Sequence, residues 1–339
     1  MATGKPLPYS LRPATNNDLK NIVQLFNDCE EADSGLRTTT IEDVQQAWTN
    51  PNYDVDLSVR VVENEQQQLV GYASFWDLEK PAIDPWLDLR VHPQFRATPA
   101  TDLLITWGEE RAQRCVAEVP TDLRVALFSG TQHHHTAIKT TFDQHGFTEA
   151  RHYWEMKIDL DTRPPSPSWP EGIQLFQYET KADVLRNLTS IAIAFNDAFQ
   201  DHFGHVKRPI ENTINRWQHH IETDQKRFDP TLWFLAMDGD EIAAICLCVK
   251  EDADDPNNGH VDILGVRRPY RRKGLGLALL HHAFQTYYQR GKTAVTLGVD
   301  ASSLTNATKL YEKAGMHIHR QFDVYEKELR AGKDIRRQE

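Results

Sequence analysis

The sequence predicts an α/β (α+β) protein with two domains of similar construction. The chain has 339 residues, which is long for one hydrophobic core and typical of about two domains. Strand and helix patterns follow one another in the same order in both halves. Four prolines within residues 161–170 indicate a semi-rigid, extended linker between the halves. We therefore expect domains at residues 1–160 and 171–330, followed by a polar tail at 331–339.

The elements of the first half follow from hydrophobic periodicity. A capping-box pattern at Thr15 and Asp18 predicts the start of a helix. Apolar residues at helical spacing predict a second helix around Leu104 and Trp107. Strands are predicted at residues 9–14, 56–62, 69–76, 87–91, 123–128 and 154–160.

The second half repeats this order. Thr180 and Asp183 repeat the capping pattern, and Asp238-Gly239 predicts a tight hairpin turn. Strands are predicted at residues 232–237, 242–249, 261–266 and 293–299. Matched positions are separated by 165, 175 and 169 residues, namely Thr15 with Thr180, Val91 with Val266, and Gly146 with Gly315. Because this spacing is nearly constant, the sequence indicates an internal duplication.

Composition and charge disfavour several classes of protein. Apolar residues make up 40% and charged residues 26% of the chain, as in ordinary globular proteins. No run approaches the roughly 18 apolar residues of a membrane span. Residues 1–10 lack the apolar core of a secretory signal. The net charge of −11 disfavours nucleic acid or an anionic membrane as the main partner.

We expect no metal site from the cysteines or histidines. The four cysteines form no C-x-x-C pair and no disulfide framework, which suits a reducing cytoplasm. Three consecutive histidines stand at residues 133–135. Their side chains cannot converge on one ion from a regular helix or strand, and no acidic partner is evident nearby. The sequence predicts a polar loop there.

The stretch from His260 to Met316 predicts an anion-binding site. An apolar run at 261–266 predicts a strand, a basic turn ends it, and Gly274 and Gly276 open a helix. Backbone N–H groups at the start of a helix are free to bind an anion, and the helix dipole favours negative charge there. Glycine leaves these N–H groups open to phosphate oxygens. The sequence therefore predicts a phosphorylated cofactor, with added positive charge from Arg271, Arg272 and Lys273.

Three kinds of phosphate loop compete for this stretch. A P-loop requires Gly, four residues and then Gly-Lys-Ser/Thr, which is absent. A dinucleotide fingerprint requires a third glycine where Leu279 stands, and an acidic residue about twenty residues further on, which is also missing. The pattern Arg271-x-x-Gly274-x-Gly276 instead resembles the acetyl-CoA loop of the GNAT acyltransferase superfamily.

A second signature follows at the distance expected for that family. Leu310-Tyr311-Glu312, with Gly315-Met316 after it, resembles the helix that carries the family's second motif. The tandem arrangement is similar to that of tandem-GNAT proteins of the mycothiol synthase kind. The resemblance implies two tandem GNAT domains, each a mixed, mostly antiparallel twisted sheet flanked by helices. It also implies acetyl-CoA as cosubstrate.

The resemblance further implies which residues hold acetyl-CoA. In the family the pantetheine arm pairs like an extra strand with the strand before the loop, which here implicates Leu264, Gly265 and Val266. An asparagine is common in the family where Ser303 stands, so Ser303 and Asn306 are both candidates for a hydrogen bond to the cofactor. The pyrophosphate would bind to Arg271, Arg272, Lys273, Gly274, Leu275, Gly276 and Leu277.

The implied reaction is direct attack of an amine on the thioester carbonyl of acetyl-CoA. Tyr311 is the candidate acid, because a phenol with a pKa near 10 is protonated at neutral pH and can donate to a thiolate. His260 and Asp262 are the candidate bases, since alternation places both on one face of their strand. Asp262 alternatively acts through water or orients His260. The structural alternatives are a core position for Tyr311 and solvated strand-end positions for the other two residues.

A substrate site is expected after the first helix of the second half. Residues 196–204 combine polar, aromatic and titratable side chains. We predict that Asp201, His202, Phe203 and Trp217 contribute to an acidic, aromatic site for the amine. A solvated helix end is the alternative interpretation.

The first copy lacks the residues that would bind acetyl-CoA. Pro99 and Thr101 stand at the two glycine places of the loop. Proline has no N–H to donate, and the threonine side chain crowds the phosphate path. Phe142 stands where Tyr311 stands in the second copy, so no hydroxyl is available. We therefore expect the first domain to be structural and not to bind acetyl-CoA productively.

Together these observations predict a cytoplasmic N-acetyltransferase whose second domain acetylates a small-molecule amine. One alternative is a non-catalytic acyl-CoA-binding or regulatory protein, which would bind the cofactor but release no CoA with any amine. Another is a nucleic-acid-associated acyltransferase, which the acidic net charge disfavours. The sequence identifies neither the acceptor nor the oligomeric state.

Overall fold

The structure, a computed structural model, describes residues 8–200, 206, 209–224, 226–302 and 307–336. Within these residues the strands in chain order are β1 (Tyr9–Pro13), β2 (Val59–Asn64), β3 (Leu69–Trp76), β4 (Trp86–Val91), β5 (Val125–Gln132), β6 (Thr148–Asp159), β7 (Ile173–Gln177), β8 (Trp233–Asp238), β9 (Glu241–Val249), β10 (Asn258–Val266), β11 (Ala294–Asp300) and β12 (His317–Arg330). The helices are α1 (Leu19–Ser34), α2 (Ile41–Trp48), α3 (Val55–Ser58), α4 (Pro99–Glu118), α5 (Thr136–Gln144), α6 (Lys181–Phe199), α7 (Ile210–Thr223), α8 (Leu275–Gln289) and α9 (Ala307–Lys313).

The chain forms two compact units, each with its own hydrophobic core. The first unit consists of Met1–His152 with Phe322–Ile335, and the second of Tyr153–Gln321 with Arg336–Glu339. The fold class agrees with the sequence-based expectation, since each sheet is mostly antiparallel and flanked by helices. None of the described helices is long and apolar enough to cross a membrane.

The sheet of the first unit has the strand order β1-β2-β3-β4-β5-β12. Its neighbouring strands are antiparallel, except that β4 and β5 are parallel. Val61 and Val62 are adjacent on β2 and therefore point to opposite faces. Val61 packs with Ile22 of α1, and Val62 packs with Leu104 of α4. Both faces of this sheet are thus covered by a helix.

The second unit repeats this plan in the order β6-β11-β10-β9-β8-β7. Here β10 and β11 are the parallel pair, and the other neighbours are antiparallel. Cys246 and Leu247, adjacent on β9, again belong to different clusters. Phe284 of α8 packs on the face of Cys246, and Ile191 of α6 packs on the face of Leu247. The three catalytic candidates lie in this unit, His260 and Asp262 on β10 and Tyr311 on α9.

The final strands of the two halves are exchanged between the units. β6 follows the first half but pairs from Tyr153 to Asp159 with β11. β12 follows the second half but pairs from Phe322 to Arg330 with β5. The compact units therefore differ from the linear division at residues 161–170 that the sequence suggested. A strand edge accepts any strand of suitable register, so the local pattern cannot specify which copy supplies it.

The proline-rich segment packs within the second unit. Gln285 of α8 donates through Nε2 to the Pro164 carbonyl at 3.2 Å and to Ser166 Oγ at 3.3 Å. Trp169 packs against the core cluster that contains α8, and its ring centroid is 6.3 Å from that of His282. The segment is thus held against one helix along part of its length.

Some elements differ from the sequence-based expectations. Residues 55–58 form a helical turn and not the start of β2, because the Asp54 side chain accepts the N–H of Leu57 at 3.1 Å. The helices α2 and α7 and the strands β7 and β12 were not predicted from the sequence. By contrast, Thr15 with Asp18 and Thr180 with Asp183 cap their helices as predicted.

Candidate active site

The two parallel strands of the second unit separate at His260. Their pairing runs for three residues and ends where His260 lies opposite Thr296. Beyond this point β10 continues to Val266 against β9, whereas β11 continues against β6. The facing edges of the two strands form an opening in which an extended ligand can bind as an additional strand does. This part of β10 carries the three predicted pantetheine contacts, Leu264, Gly265 and Val266.

A β-bulge at Asp262 orients the candidate bases. The register with β9 shifts between Val261 and Ile263. Val261 packs on the face of α8, whereas Ile263 packs on the face of α6 and α7. Asp262 is exposed and lines a small pocket on the latter face, together with Val249. Since His260 is the strand partner of Val249, His260 and Asp262 lie on one face of the sheet.

The glycines of the loop meet two different structural demands. Gly274 is the N-cap of α8 with a φ of +88°, a left-handed conformation that other residues rarely adopt. A Cβ at Gly276 would lie 2.9 Å from Leu310 Cδ2, so a side chain there would displace Leu310. The first bond within the helix runs from the Ala278 N–H to the Gly274 carbonyl at 3.0 Å. The three preceding N–H groups are therefore available as donors at the positive end of the helix.

Arg271 ties the loop to its surroundings. Its Nε donates to the Val266 carbonyl at 3.2 Å, and its Nη2 donates to the Ala198 carbonyl at 3.0 Å. Arg272 and Lys273 are exposed beside the loop, and Lys273 Nζ lies 5.2 Å from the centre of the Tyr270 ring. Two of the three basic side chains predicted to bind phosphate, Arg272 and Lys273, are thus exposed. The third, Arg271, also holds the backbone of the loop.

His260 forms its side-chain hydrogen bonds through Nδ1. This atom lies 2.8 Å from Thr296 Oγ1 and 3.2 Å from Asp252 Oδ2. Thr296 in turn donates to Asp252 Oδ2 at 2.5 Å. The Nε2 atom has no hydrogen-bond partner among the described residues, and 21% of the His260 side chain is exposed. One ring nitrogen is thus held by the protein, and the other is open.

Asp252 is a buried carboxylate that the sequence analysis did not identify. Only 7% of the residue is exposed, and its Oδ1 accepts the backbone N–H of Asp254 at 2.8 Å. Burial by itself raises the pKa of Asp252, but the hydrogen bonds from His260 and Thr296 hold that pKa well below its usual range. The carboxylate that contacts His260 is therefore Asp252. Asp262, which was expected to act through water or to orient His260, instead lines the pocket beside Trp217.

Tyr311 lies on α9 and is buried in the core of the second unit. It is 8% exposed, and its hydroxyl has no hydrogen-bond partner among the residues that the structure describes. Burial, with a smaller contribution from nearby Cys246, raises the pKa of Tyr311 to about 12. The phenol therefore remains protonated over the working range of pH. It is a weaker acid than the unperturbed phenol that the sequence analysis assumed.

The pocket beside Asp262 is small, with a volume of about 30 Å³, and three of its ten lining residues are Trp or Phe. Trp233 holds two other rings edge-on, with ring centroids 6.0 Å from Trp217 and 5.6 Å from Phe228. The structure therefore brings together two predicted site residues, Asp262 and Trp217, that are far apart in the sequence. The lining residues are Trp217, His220, Ile221, Phe228, Trp233, Leu247, Cys248, Val249, Asp262 and Ile263.

The end of α6 approaches β10 at a glycine. A Cβ at Gly265 would lie 2.7 Å from Phe199 Cε2 and 3.0 Å from Ala198 Cβ. Gly265 is thus required by close packing of the helix, a reason that is independent of cofactor pairing. The remaining predicted site residues lie outside the described residues, namely Asp201, His202, Phe203, Ser303 and Asn306.

In the equivalent loop of the first unit, backbone N–H groups form hydrogen bonds to atoms of the loop itself. Pro99 is the first residue of α4 and has no N–H. The N–H of Ala100 lies 3.4 Å from Thr98 Oγ1, and the N–H of Thr101 donates to the Thr98 carbonyl at 3.2 Å. The first turn of α4 therefore offers fewer open donors to an anion than the first turn of α8.

The histidines at 133–135 have acidic partners, contrary to the sequence-based expectation. His135 is buried, and its Nε2 lies 2.8 Å from Asp33 Oδ1. His133 Nδ1 lies 2.8 Å from the buried Asp323 Oδ2. Both acids come from remote segments of the chain, so a search for a nearby partner in the sequence could not find them.

Two groups in the first unit have a geometry that could hold a metal ion. They are Asp33 with His134 and His135, and Asp323 with Glu149 and His152. Both carboxylates already bind a cationic side chain, since Arg96 lies 3.1 Å from Asp33 and Lys139 lies 2.6 Å from Asp323. A positive charge at this distance opposes a metal ion on the same carboxylate.

Comparison with known proteins finds similar acetyltransferases. The family model described as "Acetyltransferase (GNAT) family" matches residues 194–316. The mycothiol acetyltransferase of Thermobispora bispora is 29% identical over 258 residues, which cover 73% of this chain and 76% of that protein. The mycothiol acetyltransferase of Salinispora arenicola is 30% identical over 252 residues, covering 73% and 74%.

Solved structures extend the similarity to both units. A GCN5-related N-acetyltransferase from Sphaerobacter thermophilus is 31% identical, with a TM-score of 0.79 over 98% of this chain and 99% of that chain. A tandem GNAT protein from the clavulanic acid biosynthesis pathway is 14% identical, with a TM-score of 0.68 over 96% and 100%. The second likeness concerns the fold alone.

Proposed function

The chain belongs to the GCN5-related N-acetyltransferase (GNAT) family, and we propose that its second unit transfers the acetyl group of acetyl-CoA to a primary amine of a small molecule. The observation that carries this proposal is the opening between β10 and β11. It begins at His260, and β10 leads from there to the open N–H groups of α8. One end of the opening thus offers a candidate base, and the other offers an anion site.

Acetyl-CoA is proposed to bind along β10. The unpaired edge at Leu264, Gly265 and Val266 can hydrogen-bond the amide groups of the pantetheine arm. The diphosphate then reaches the first turn of α8, where glycine at position 276 leaves the donors uncovered. A backbone N–H on the same edge can polarise the thioester carbonyl. This arrangement supplies positioning, which is a large part of the acceleration in a two-substrate reaction.

His260 is the proposed base. The attacking amine forms a C–N bond to the thioester carbon, and the C–S bond breaks to release the CoA thiolate. The amine must lose a proton in this process, and an imidazole nitrogen is suited to accept it near neutral pH. The open Nε2 at the beginning of the opening supports this assignment.

Tyr311 is the proposed donor to the leaving thiolate. The Tyr311 hydroxyl has no hydrogen-bond partner among the described residues that would compete with the sulfur, so it is available for a hydrogen bond. Because burial raises the pKa of Tyr311 to about 12, complete proton transfer to a thiolate is uphill. We therefore propose that Tyr311 stabilises the thiolate mainly as a hydrogen-bond donor.

The acceptor is proposed to be a small molecule that carries its amine into the aromatic pocket. Asp262 provides negative charge at the pocket, and the faces of Trp217 and Trp233 can stabilise a cation. The small volume suits only the amine-bearing end of a substrate. The curated relatives named mycothiol acetyltransferase support a small-molecule acceptor.

The first unit is proposed to be structural, and catalysis is assigned to the second unit alone, as expected from the sequence. The internally bonded turn at Pro99 and the pairing of Asp33 with His135 support this division. Phe142, fully buried at the place of Tyr311, provides no hydroxyl.

The test is amine-dependent release of CoA. Full-length protein is mixed with acetyl-CoA and a panel of primary amines, and free thiol is measured over time. We expect Tyr311→Phe to lower kcat about 100-fold, which is the lower range for loss of one donor or acid. The dissociation constant for acetyl-CoA should stay near the wild-type value. Tyr288→Phe, an exposed tyrosine of α8, is the matched control and should behave as wild type.

The alternative function, a non-catalytic acyl-CoA-binding protein, predicts a different pattern. Acetyl-CoA would bind, no amine would increase thiol release above the rate of hydrolysis, and Tyr311→Phe would change nothing. That combination would exclude the transferase proposal for the amines of the panel.

A further inference from the structure

We propose that Asp252 and Thr296 are positioning residues that fix His260 in the tautomer with an unprotonated Nε2. This inference rests on the proposed function, in which His260 removes the proton of the amine. Asp252 comes from the segment between β9 and β10, and Thr296 lies on β11. Neither residue belongs to the motifs that indicated the site.

The tautomer follows from counting hydrogens. Asp252 is ionised, because its pKa lies well below the usual range, so its oxygens can only accept. Thr296 has one hydroxyl hydrogen, and that hydrogen is donated to Asp252 Oδ2 at 2.5 Å. His260 Nδ1 faces both acceptor oxygens, at 2.8 Å and 3.2 Å. Nδ1 must therefore carry the proton, which leaves the lone pair of a neutral imidazole on Nε2.

The carboxylate itself is rigidly held. Its second oxygen, Oδ1, accepts the backbone N–H of Asp254 at 2.8 Å, and the Asp252 N–H donates to the Asn258 carbonyl at 3.0 Å. Since Asp252 is 7% exposed, water does not compete strongly for these bonds. A fixed acceptor orients the imidazole ring, and it remains a hydrogen-bond acceptor throughout the reaction.

The arrangement also stabilises the protonated state of the base. When Nε2 takes a proton from the amine, the imidazolium keeps its Nδ1–H directed at Thr296 and Asp252. The positive charge then lies next to a buried negative charge, which lowers the free energy of the step. No proton leaves Nδ1, and Asp252 stays ionised throughout.

The other charged and titratable groups around the His260 ring either bond to other atoms or lie elsewhere on the sheet. Asp262 lies two residues along β10 and lines the aromatic pocket. Tyr287 of α8 donates its hydroxyl to the His260 carbonyl at 2.9 Å. Lys157, opposite Thr296 on β6, is 3.1 Å from Asp159. Asp252 is thus the carboxylate that lies within contact distance of Nδ1 in the described structure.

The direct test is the tautomer itself, read by ¹⁵N NMR of the histidine ring nitrogens in the full-length protein without substrate. The signals of His260 are assigned by their loss in His260→Gln. We expect a protonated Nδ1 and an unprotonated Nε2 at a pH where the ring is neutral. In Asp252→Asn the new amide can donate to Nδ1, so we expect the population to move toward the opposite tautomer. A wild-type ring with the proton on Nε2 would overturn the inference.

The kinetic test compares variants of similar shape. We expect Asp252→Asn to lower kcat by about 100-fold or more, by analogy with loss of the orienting acid in Ser-His-Asp enzymes, with little change in KM for acetyl-CoA. Thr296→Val should lower kcat about tenfold, and Thr296→Ser, which restores the hydroxyl, should recover it.

The two tests separate this inference from the proposed function. If the tautomer is as expected but His260→Gln keeps full activity, His260 is not the base and the proposed mechanism fails. If His260→Gln is inactive but Asp252→Asn keeps the wild-type kcat and the wild-type tautomer, the positioning function of Asp252 is wrong. Melting temperatures of all variants, measured alongside, distinguish lost folding from lost positioning.

Discussion

The two loops that follow β4 and β10 share their scaffold and differ in their free donors. In both, an arginine Nε donates to the carbonyl of the last strand residue, Arg96 to Val91 at 3.3 Å and Arg271 to Val266 at 3.2 Å. Both arginines stand five residues after those valines. The difference lies in the next residues, where one copy has proline and threonine and the other has two glycines.

This comparison separates what maintains the fold from what permits binding. The arginine tie is present in both copies, so it serves the shape of the loop. Open N–H groups and an uncovered helix end occur where glycine stands. In the first unit Arg96 Nη2 also binds Asp33, whereas Arg271 Nη2 binds the backbone carbonyl of Ala198. The described partner of this nitrogen is thus a side-chain carboxylate in the first unit and a backbone carbonyl in the second.

The largest expected effect comes from Gly276→Thr, which gives the loop of the second unit the residue type that Thr101 provides in the first. In Gly276→Thr the new Cβ would meet Leu310 Cδ2 at 2.9 Å, and the side chain would cover the phosphate path. We expect the dissociation constant for acetyl-CoA to rise at least about 100-fold, since several charge-assisted hydrogen bonds are weakened together. Isothermal titration calorimetry should give one site per chain in the wild type. Unchanged affinity in the variant would show that this loop does not bind the cofactor.

A smaller effect is expected from Gly274→Ala. Gly291→Ala is its matched control, because both glycines have a left-handed backbone conformation. Gly274 and Gly291 have φ of +88° and +74°, and neither has an atom within 4 Å of an added Cβ. Alanine at either position should therefore cost a similar free energy of unfolding, about 1 kcal/mol. Only Gly274→Ala should weaken acetyl-CoA binding, by about tenfold. Equal loss of affinity in both variants would mean that strain, and not the site, causes the effect.

The smallest effect on activity is expected in the first unit. Burial alone raises the pKa of Asp33, but its bonds with His135 and Arg96 lower it to about 2. The ionised group therefore stabilises the fold fully above its unfolded pKa near 3.9, and this contribution is lost as the pH falls toward about 2. Asp33→Asn should lower stability at neutral pH by about 1–3 kcal/mol and reduce its dependence on pH in that window. Chemical unfolding at several pH values measures both.

The same variant also tests the structural function of the first unit. We expect kcat and KM of Asp33→Asn to stay within about twofold of wild type, because the proposed chemistry lies in the second unit. A large change in kcat at unchanged stability would contradict this and would place a contribution to catalysis in the first unit.

Short-range sequence patterns were sufficient to predict much of the secondary structure and the glycine loop of the second unit. A polar cap followed by helical periodicity located α1 and α6, and Asp238-Gly239 located the hairpin of β8 and β9. Gly146 and Gly315 end their helices with φ of +75° and +94°, as expected for a residue without a Cβ. The partners of His260 and of the histidines at 133–135 were not accessible in this way. They lie on other segments, and no short-range pattern encodes a pairing across the sheet.

The sequence by itself determined the duplication, the capped helices α1 and α6, the hairpin of β8 and β9, the glycine loop of one copy and its loss in the other. These depend on side-chain volume, backbone freedom and periodicity over a few residues. Only the tertiary structure decided that β6 and β12 exchange sheets, that Asp252 rather than Asp262 holds His260, and that Asp33 occupies the end of the first loop. Such pairings follow from which distant groups are buried together, and burial is a property of the whole fold.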